Sequence, residues 1–420
     1  MLPERADVLI VGAGPTGLAA AIELKRLGAR GVVVADREPE AGGIPRLCHH
    51  TGFGLQDLRR VLSGPAYAQH YGRLAREAGV AVQTAVTITG WRGANRVSFT
   101  SPQGLGETDA RAILLATGCR ERPRSARLIP GSRPAGVFTT GSLQRFVYEH
   151  RLPVGRRAVI VGAELVSLSA LMTLRHAGVA VAGMVTELPE HQIYFPYLPL
   201  KWLLADWLMR TPILPRARVT QILGRGRVEG VEITSPGARR VETVACDTVV
   251  FTGDWIPEHE VSRTGSLTMD SGTRGPSVDA AFHTSRRGVF AAGNLLRGAE
   301  AADWSALEGR RAAYYIHQFL STGQWAERSL PIHVEPPLEW ICPNTLSPAT
   351  GSPPGGFRFR AREFRRPARV QVRQGARALH TQSLNRLLVN ESMRLASDWL
   401  SKVDFDGEPL QLVVSSDRFA

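Results

Sequence analysis

The sequence has few cysteines and no cysteine motif. Its 420 residues contain four cysteines, Cys48, Cys119, Cys246 and Cys342, and these lie far apart along the chain. A redox-active disulfide or an iron–sulfur cluster is typically signalled by closely spaced cysteines such as C-x-x-C. The absence of such a pair excludes the chemistry of disulfide reductases and leaves no local ligand set for a cluster. We therefore expect no metal site and interpret most of the thiols as buried packing residues.

Long apolar runs and repeats are absent as well. Charged residues interrupt every apolar stretch well before the roughly 18 residues that indicate a transmembrane helix, so we expect no membrane span. The chain enters an apolar segment at Val8, which leaves no room for a signal peptide and favours a cytoplasmic location. The length fits two or three domains, and a hydrophobic content of 43% supports a full core.

Acidic residues are too few to balance the basic ones, and the formal net charge is +13. Such an excess can indicate a nucleic-acid partner, but here it is spread along the chain, is nearly all arginine, and accompanies no nucleic-acid-binding motif. We therefore expect no nucleic-acid partner. Two interpretations stay open: a positive surface for an acidic substrate or for a partner protein, and a compositional bias without function.

The most informative segment is VLIVGAGPTG, in which four apolar residues lead into G-x-G-x-x-G. Gly12 permits a tight turn after a strand, Gly14 lets a pyrophosphate approach the backbone, and Gly17 lets the following helix pack closely. A helical stretch from Leu18 to Leu27 and a second apolar strand from Val32 to Ala35 follow. Asp36 comes next, 19 positions after Gly17, and is positioned to accept hydrogen bonds from a ribose. The pattern predicts a dinucleotide-binding fold. Its turn also includes Pro15 and Thr16.

Three later segments extend this pattern. Asp36 and Arg37 precede the pair Gly42-Gly43, where backbone can pass close to a cofactor. A buried-strand pattern ends in Ala116-Thr117-Gly118, and another strand, GVFAAGN, ends in Gly293-Asn294. The segment from Ala299 to Tyr315 then reads as a helix.

A second strand–turn–helix pattern, RAVIVGAELVS, lies between these segments, but its glycines are altered. Gly162 is kept, whereas Glu164 stands at the second glycine position and Ser167 at the third. A carboxylate about 4 Å from one phosphate charge costs about 4 kcal/mol at an effective dielectric constant near 20. The segment predicts a dinucleotide fold poorly suited to NAD(P)H, with Glu164 occupying the phosphate position.

These motifs together resemble the pyridine nucleotide-disulfide oxidoreductase superfamily. Several phrases, including GGIPRLCHH from Gly42 and GPAY from Gly64, resemble one branch of it. That branch holds the flavoprotein subunits of opine oxidase, hydrogen cyanide synthase, and D-hydroxyproline and sarcosine dehydrogenases. The resemblance implies FAD as cofactor, a small-molecule substrate oxidised at a C–N bond, and a partner that is a second flavoprotein subunit. The family's strand normally ends in Asp where this chain has Asn294, whose amide can still bond the cofactor.

The resemblance covers the N-terminal three quarters of the chain. After a turn-rich stretch, apolar and basic residues alternate in 357–360 and 368–373, which indicates half-exposed antiparallel strands. Together these features imply a domain plan. We expect an α/β chain with two Rossmann-like dinucleotide-binding domains, the second inserted in the first, and a small β-rich C-terminal domain. The predicted boundaries are 1–150 and 251–330 for the FAD-binding domain, 151–250 for the degenerate NAD(P)-binding-like domain, and 331–420 for the C-terminal domain.

Three residues are the catalytic candidates. His49 and His50 follow Gly43 closely, in a stretch that passes the isoalloxazine ring in the superfamily, and a histidine titrates near neutrality as a base for amine oxidation should. Arg46 could bind a substrate carboxylate through two hydrogen bonds. A structural role is an open alternative for all three.

Three functions remain open on the sequence. The first is an FAD-dependent oxidoreductase that oxidises an amine or an amino-acid-like substrate. The second is an NAD(P)H-dependent flavin reductase that binds nicotinamide in the second domain despite Glu164. The third is a non-catalytic FAD-bearing scaffold subunit.

Overall fold

The computed structural model describes residues 1–194, 197–236 and 241–415. They form two compact units. The first comprises Met1–Arg46, Gly52–Cys119 and the residues from Pro257 onward, and the second comprises Leu47–Thr51 and Arg120–Ile256. One unit is therefore interrupted in sequence by the other, as an inserted domain requires.

The N-terminal part opens with the predicted strand–helix–strand. The strand predicted at Val32–Ala35 is confirmed, and the first helix starts at Pro15 rather than Leu18 because proline is well suited to the first turn of a helix. The elements are β1 (Arg5–Val11), α1 (Pro15–Arg26), β2 (Val32–Ala35), β3 (Thr51–Phe53), β4 (Leu62–Ser63), α2 (Gly64–Glu77), β5 (Ala81–Gln83), β6 (Thr87–Trp91), β7 (Arg96–Ser101) and β8 (Gly104–Leu115).

The middle part repeats the strand–helix–strand design. It also contains two short π-helical turns, Arg145–Glu149 and Trp202–Leu208. The elements are β9 (Cys119–Glu121), β10 (Val137–Thr139), α3 (Thr140–Gln144), β11 (Arg157–Val161), α4 (Leu165–His176), β12 (Ala180–Val185), α5 (Leu198–Lys201), β13 (Ile213–Leu214), β14 (Arg218–Leu223), β15 (Gly230–Thr234), β16 (Glu242–Ala245), β17 (Thr248–Phe251) and β18 (Trp255–Pro257).

The last part contains one long helix and many strands. The helix expected from Ala299 to Tyr315 runs from Ala302 to Thr322. The elements are α6 (Glu260–Thr264), β19 (Val289–Ala291), α7 (Ala302–Thr322), β20 (Leu330–Val334), β21 (Leu338–Cys342), β22 (Thr345–Leu346), β23 (Phe357–Ala361), β24 (Ala368–Gln374), β25 (Arg377–Leu384), β26 (Met393–Leu395) and β27 (Leu410–Val414).

The main sheet of the first unit has the strand order β5-β2-β1-β8-β7-β6, and β19 pairs with β8. Strands β5, β2, β1, β8 and β19 are parallel, with Val8 opposite Val32 and Ile113 opposite Val289. Strands β2 and β19 are buried apolar runs, as parallel strands covered on both faces should be. Because the carboxyl ends of parallel strands meet at one edge, this sheet brings the predicted cofactor segments together.

The second unit is built on a smaller parallel sheet with the order β10-β17-β11-β12-β13. An antiparallel sheet of β14, β15 and β16 belongs to the same unit. The predicted fold class, with two Rossmann-like dinucleotide-binding folds, is confirmed.

The C-terminal residues are rich in strands, as predicted. Two sheets, β22-β20-β27-β24-β25 and β21-β23-β26, enclose a separate apolar core that includes Phe357, Phe359 and Trp399. These residues fall within the first compact unit. The predicted domain boundary near residue 331 stays a prediction.

Helices α1 and α7 pack closely in the first unit. A Cβ atom added at Gly309 of α7 would collide with the backbone carbonyl of Thr16 in α1. Two helices can approach this closely only where one of them lacks a side chain. Gly309 therefore holds α7 against the first turn of α1.

Replacing Gly309 with alanine should force these helices apart. We expect Gly309→Ala to lower the free energy of unfolding by about 1–3 kcal/mol, the usual cost of overpacking. Thermal denaturation of the purified protein measures the change.

Gly72→Ala is the matched control. Gly72 also lies inside a helix, but its added Cβ would meet only the Arg76 guanidinium, at 3.9 Å. This change should raise stability, by up to about 1 kcal/mol, because alanine favours helices over glycine. Equal effects of the two substitutions would contradict the packing role of Gly309.

Candidate functional site

The turn between β1 and α1 is the centre of the candidate site. Gly12 has a φ of +111°, a conformation that other residues rarely adopt, and a Cβ there would collide with the carbonyl of Ala116. A Cβ at Gly17 would collide with the carbonyl of Gly12. The first and third glycines of the motif therefore permit tight backbone packing.

Gly14, the middle glycine, has open space instead. The only atom within 4 Å of an added Cβ would be the Cα of Gly43, at 3.9 Å. Gly14 is also the N-cap of α1, and no side chain caps this helix. The helix therefore presents backbone N–H groups and a partial positive charge beside an open glycine, the arrangement that accepts a phosphate.

Asp36 lies beside this turn and organises it. Its carboxylate accepts a hydrogen bond from the backbone N–H of Ala13 at 2.5 Å and another from that of Glu38 at 2.8 Å. Burial raises the pKa of Asp36, although both hydrogen bonds favour its charged form. The predicted role of Asp36 toward a ribose stays a prediction.

The predicted segment Ala116-Thr117-Gly118 reaches the same edge of the sheet. The Thr117 hydroxyl donates to the backbone carbonyl of Glu258 at 2.7 Å, and the Glu258 N–H donates to the carbonyl of Gly118 at 2.9 Å. The Glu258 carboxylate pairs with Arg37 at 3.2 Å. Arg37 and the Ala-Thr-Gly segment are thus connected through one glutamate.

Gly293 and Asn294 complete the edge. A Cβ at Gly293 would collide with the hydroxyl of Thr16, so this loop lies directly on the first turn of α1. The Asn294 carbonyl oxygen accepts from the backbone N–H of Glu300 at 3.1 Å and from the Ser305 hydroxyl at 2.9 Å. The amide thus organises the start of α7.

The structure therefore brings every predicted cofactor-binding residue to one edge of the main sheet. The open glycine, the uncapped helix N-terminus and the adjoining Gly42-Gly43 loop fit the pyrophosphate of FAD. The residues that would hold the cofactor are Gly12, Gly14, Pro15, Thr16, Gly17, Asp36, Arg37, Gly42, Gly43, Ala116, Thr117, Gly118, Gly293 and Asn294.

The second Rossmann turn differs in one decisive respect. Glu164 is the N-cap of α4, and its carboxylate accepts from the N–H groups of Val166 at 2.6 Å and Ser167 at 3.0 Å. Its side chain is buried, beside Gly253. The helix N-terminus that would hold a phosphate is filled by the chain's own carboxylate.

The charge of Glu164 matters less than its position. Burial raises its pKa, while the hydrogen bonds it accepts and the nearby Arg127 favour the ionised form. In either protonation state the side chain fills the space beside the helix and uses the N–H groups. Steric exclusion is therefore the firmer argument against a nicotinamide pyrophosphate at this turn.

The predicted catalytic residues lie in different units. Arg46, in the first unit, forms an ion pair with Glu40 at 3.2 Å and with Glu38 at 3.9 Å. The other two candidates, His49 and His50, belong to the second unit. The structure does not bring Arg46 and the histidines into one compact unit, and the roles of all three stay predictions.

The two histidines are held in different ways. The ring of His49 stacks on that of Tyr148, with centroids 3.9 Å apart. The Nδ1 atom of His50 lies 3.0 Å from the carbonyl of Thr51, so a neutral ring carries its proton on Nδ1 and its lone pair on Nε2. Partial burial lowers the pKa of both histidines, which favours the neutral form at pH 7.

Three of the four thiols, those of Cys48, Cys246 and Cys342, are buried, and Cys119 is partly exposed. Burial raises the pKa of Cys48 and Cys342 to about 12 and that of Cys246 to about 11. Thiols with raised pKa values are poor nucleophiles.

In residues 1–194, 197–236 and 241–415, no cluster of His, Cys, Asp or Glu is arranged to hold a metal ion. None of the helices described there has the length and apolar character needed to cross a bilayer.

Two site residues were missed from the sequence. Glu308 accepts from the backbone N–H of Gly293 at 3.1 Å and pairs with the buried Arg297. Glu258 connects Arg37 to the Ala-Thr-Gly segment. These contacts join residues far apart in sequence, so no local pattern predicts them. The one available signal was the pair Glu308-Gly309, nearly two turns inside α7.

The fold and this edge define a dinucleotide-binding flavoprotein, and the family comparison agrees. Residues 6–309 match the family described as pyridine nucleotide-disulphide oxidoreductase. The chain belongs to this family and is an FAD-dependent oxidoreductase.

The relatives confirm the resemblance to subunits of sarcosine oxidase and opine oxidase. The alpha subunit of sarcosine oxidase from Rhizobium meliloti (strain 1021) is 26% identical over 269 residues. The aligned part covers 60% of this chain and 24% of the relative. An opine oxidase subunit from Rhizobium meliloti is 25% identical over 362 residues, 79% of this chain and 67% of the relative. The chain thus spans about a quarter of the first relative and two thirds of the second.

Another relative carries a different name. A putative glutamate synthase [NADPH] small chain of Cereibacter sphaeroides is 27% identical over 352 residues, 76% of this chain and 78% of the relative. Among solved structures, thioredoxin reductase of T. acidophilum has a TM-score of 0.62 at 20% identity and covers 75% of this chain and 99% of its own. The structural likeness concerns the fold alone.

The role of Asp36 can be tested by removing its carboxylate. We expect Asp36→Ala to weaken FAD binding by about 1.5–3 kcal/mol, the worth of hydrogen bonds to a charged group. Recovery of FAD fluorescence on dialysis measures the affinity.

Asp7→Ala is the matched control. The Asp7 carboxylate also accepts from a backbone N–H of the same unit, that of Gly31 at 3.0 Å, but lies at the opposite end of β1. It should leave the FAD affinity unchanged. An equal FAD content of the Asp36 variant and the wild type would contradict the assignment.

Proposed function

We propose that this chain oxidises a C–N bond of an amine or amino-acid-like substrate and works as the FAD-bearing subunit of a larger enzyme. The single observation that carries the proposal is the capping of α4 by Glu164. With that helix N-terminus filled, the second Rossmann domain loses the phosphate site that NADH or NADPH requires. The flavin then needs another source of electrons.

The names of the relatives support an amine as the electron donor to the flavin. Sarcosine oxidase and opine oxidase are named for substrates that are secondary amines with a carboxylate, and both relatives are named as subunits. Because this chain spans only part of these relatives, its substrate and its partner are both part of the proposal. A second flavoprotein subunit is the partner that we expect.

Separate groups would bind the cofactor and accept the substrate proton. FAD supplies the hydride acceptor when bound. The open turn at Gly14 would hold its phosphates, and Asn294 would face the ribityl chain. A neutral His49 or His50 would accept a proton from the substrate ammonium group, because a C–H oxidation at an amine requires the neutral amine.

A second candidate is an NAD(P)H-dependent flavin reductase. The similarity to a putative NADPH glutamate synthase small chain favours it. It requires nicotinamide to bind in the second domain despite the Glu164 side chain. The two functions make opposite predictions for the reduction of the flavin by nicotinamides.

We expect NADH and NADPH to reduce the flavin slowly or not at all. The Glu164 side chain fills the space beside the helix N-terminus in either protonation state. Where it is charged, a phosphate about 4 Å away would cost about 4 kcal/mol more, roughly a thousandfold in affinity. Anaerobic stopped-flow absorbance of the flavin measures the rate. Rapid reduction by either nicotinamide at micromolar concentration overturns the proposal and favours the reductase.

The variant Glu164→Gly tests the physical reason. Removing the N-cap should cost about 0.5–2 kcal/mol of stability and free the N–H groups of Val166 and Ser167. We expect weak binding of nicotinamide nucleotides to appear. Glu187 follows β12 and would favour NADH over NADPH by repelling a 2′-phosphate.

The histidines can be tested by substitution and by pH. We expect His49→Asn or His50→Asn to lower the reductive rate about 100-fold or more with FAD retained, the loss typical of a general base. Because burial lowers the pKa of each histidine, the base is active above that pKa, and the wild-type rate should fall only as the pH drops below about 6.5, the usual histidine value. Unchanged rates in both variants would leave the histidines with a structural role.

The proposal as a whole is tested by an anaerobic substrate screen. The purified chain is mixed with secondary amines, opines and both nicotinamides while flavin bleaching is followed. Bleaching by an amine supports the proposal. A chain that stays inert until a second polypeptide is added, and whose own FAD is never reduced, supports the scaffold function instead.

A further inference from the structure

One face of the sheet β21-β23-β26 is unusually basic. Along β23, Phe357 and Phe359 are buried in the C-terminal core, and the residues between and after them, Arg358 and Arg360, point to the other face. Arg394 of β26 lies between the core residues Met393 and Leu395 and shares that face. Three arginines therefore project from one small sheet.

Two of these arginines are direct neighbours. Arg358 and Arg394 are opposite each other in the antiparallel pairing of β23 with β26. Like charges directly opposite on a sheet destabilise it. Neither guanidinium forms an ion pair with a carboxylate among the residues that the structure describes.

The nearby carboxylates form ion pairs with other arginines. Glu300 pairs with Arg360 at 3.0 Å and with Arg297 at 3.9 Å. Glu308 pairs with Arg297 as well. The carboxylates of Glu300 and Glu308 therefore neutralise Arg297 and Arg360. Arg358 and Arg394 remain as an excess of positive charge.

An aromatic side chain completes the surface. The guanidinium carbon of Arg358 lies 5.3 Å from the centre of the Trp304 ring, in the first turn of α7. Burial lowers the pKa of Arg358, and the nearby carboxylates of Glu300 and Glu308 offset this effect only in part. A half-buried guanidinium of this kind is stabilised by an anion that binds it.

This surface is connected to the predicted flavin site within the same unit. Asn294 accepts a hydrogen bond from the backbone of Glu300, whose carboxylate binds Arg360 and Ser392. The carbonyl of Ser392 accepts from Arg358 at 3.3 Å. A chain of hydrogen bonds thus connects the predicted cofactor edge to the arginine pair, through Asn294, Glu300, Ser392 and Arg358.

We propose that Arg358 and Arg394, with Trp304 as an apolar wall, bind a carboxylate of the substrate. The inference rests on the proposed function, because it assigns the carboxylate of an amino-acid-like amine to this pair. A guanidinium binds a carboxylate through two parallel hydrogen bonds, and two opposed guanidinium groups would each gain a counter-charge. The site differs from Arg46, whose charge is paired with Glu38 and Glu40.

The experiment measures binding separately from turnover. The FAD-loaded full chain is titrated calorimetrically with iminodiacetate, a secondary amine with two carboxylates, and with diethylamine, which has ethyl groups in their place. We expect saturable, salt-sensitive binding of iminodiacetate and none of diethylamine. Arg358→Gln and Arg394→Gln should each weaken the binding of iminodiacetate at least tenfold.

Arg377→Gln is the charge-matched control. Arg377 is exposed at the start of β25, and its loss removes the same unit of positive charge from the same domain. The affinity for iminodiacetate should not change. Should Arg358→Gln fail to fold, Arg394→Gln carries the test, because Arg394 is exposed.

Two results overturn the site. One is the absence of saturable iminodiacetate binding by the wild type, and the other is equal weakening by the Arg377 control. Flavin bleaching by an amine distinguishes the site from the function. If amines bleach the flavin while the arginine variants bind iminodiacetate normally, the site is wrong and the function stands; if the variants lose binding but no amine bleaches the flavin, the site stands and the function is wrong.

Discussion

In each of the two units, the group at the N-terminus of the helix after the Rossmann turn determines whether that turn can bind a phosphate. The first four N–H groups of any helix lack a partner within the helix and must be satisfied from outside. At α1 the chain has Gly14 and no capping side chain, so the N–H groups face an open space. At α4 the carboxylate of Glu164 accepts from two of them, the N–H groups of Val166 and Ser167. The same fold thus has one turn open to a phosphate and one turn closed to it.

The rest of the first unit is arranged around the open turn. Thr16, in the first turn of α1, contacts Gly293 through its side chain and Gly309 through its carbonyl. Asp36 is bonded to the backbone at Ala13, between the first two glycines of the motif. A substitution that moved α1 would therefore disturb α7 and the turn after β19 together. Cofactor binding and packing share the same few contacts, so mutations here change both.

The sequence predicted the parts of the site that depend on local chemistry. The glycine turns, the position of Asp36 and the altered second turn at Glu164 are each encoded within a short segment, and the structure has them at the carboxyl ends of parallel strands. Alternating apolar and basic residues in β23 also predicted a half-exposed strand. These features need no knowledge of the tertiary fold, because backbone geometry and residue size determine them.

Long-range ionic contacts could not be predicted in the same way. Glu258, Glu300 and Glu308 look like surface carboxylates in the sequence, yet they pair with Arg37, Arg360 and Arg297. Which arginine has a partner depends on how the strands and α7 come together. The sequence alone therefore could not show that Arg360 and Arg297 form ion pairs whereas Arg358 and Arg394 form none with the carboxylates that the structure describes.

The net charge of +13 acquires a more local meaning from these contacts. An exposed arginine is well hydrated and screened by salt, so it adds little to a specific site. A half-buried arginine opposite another loses hydration and meets repulsion, and the fold tolerates it only where other interactions compensate. Arg358, held between Trp304 and Arg394, is such a residue. The chain thus handles its two expected anionic ligands differently: backbone N–H groups at a helix start suit phosphates, whereas side-chain guanidinium groups on a sheet suit a carboxylate.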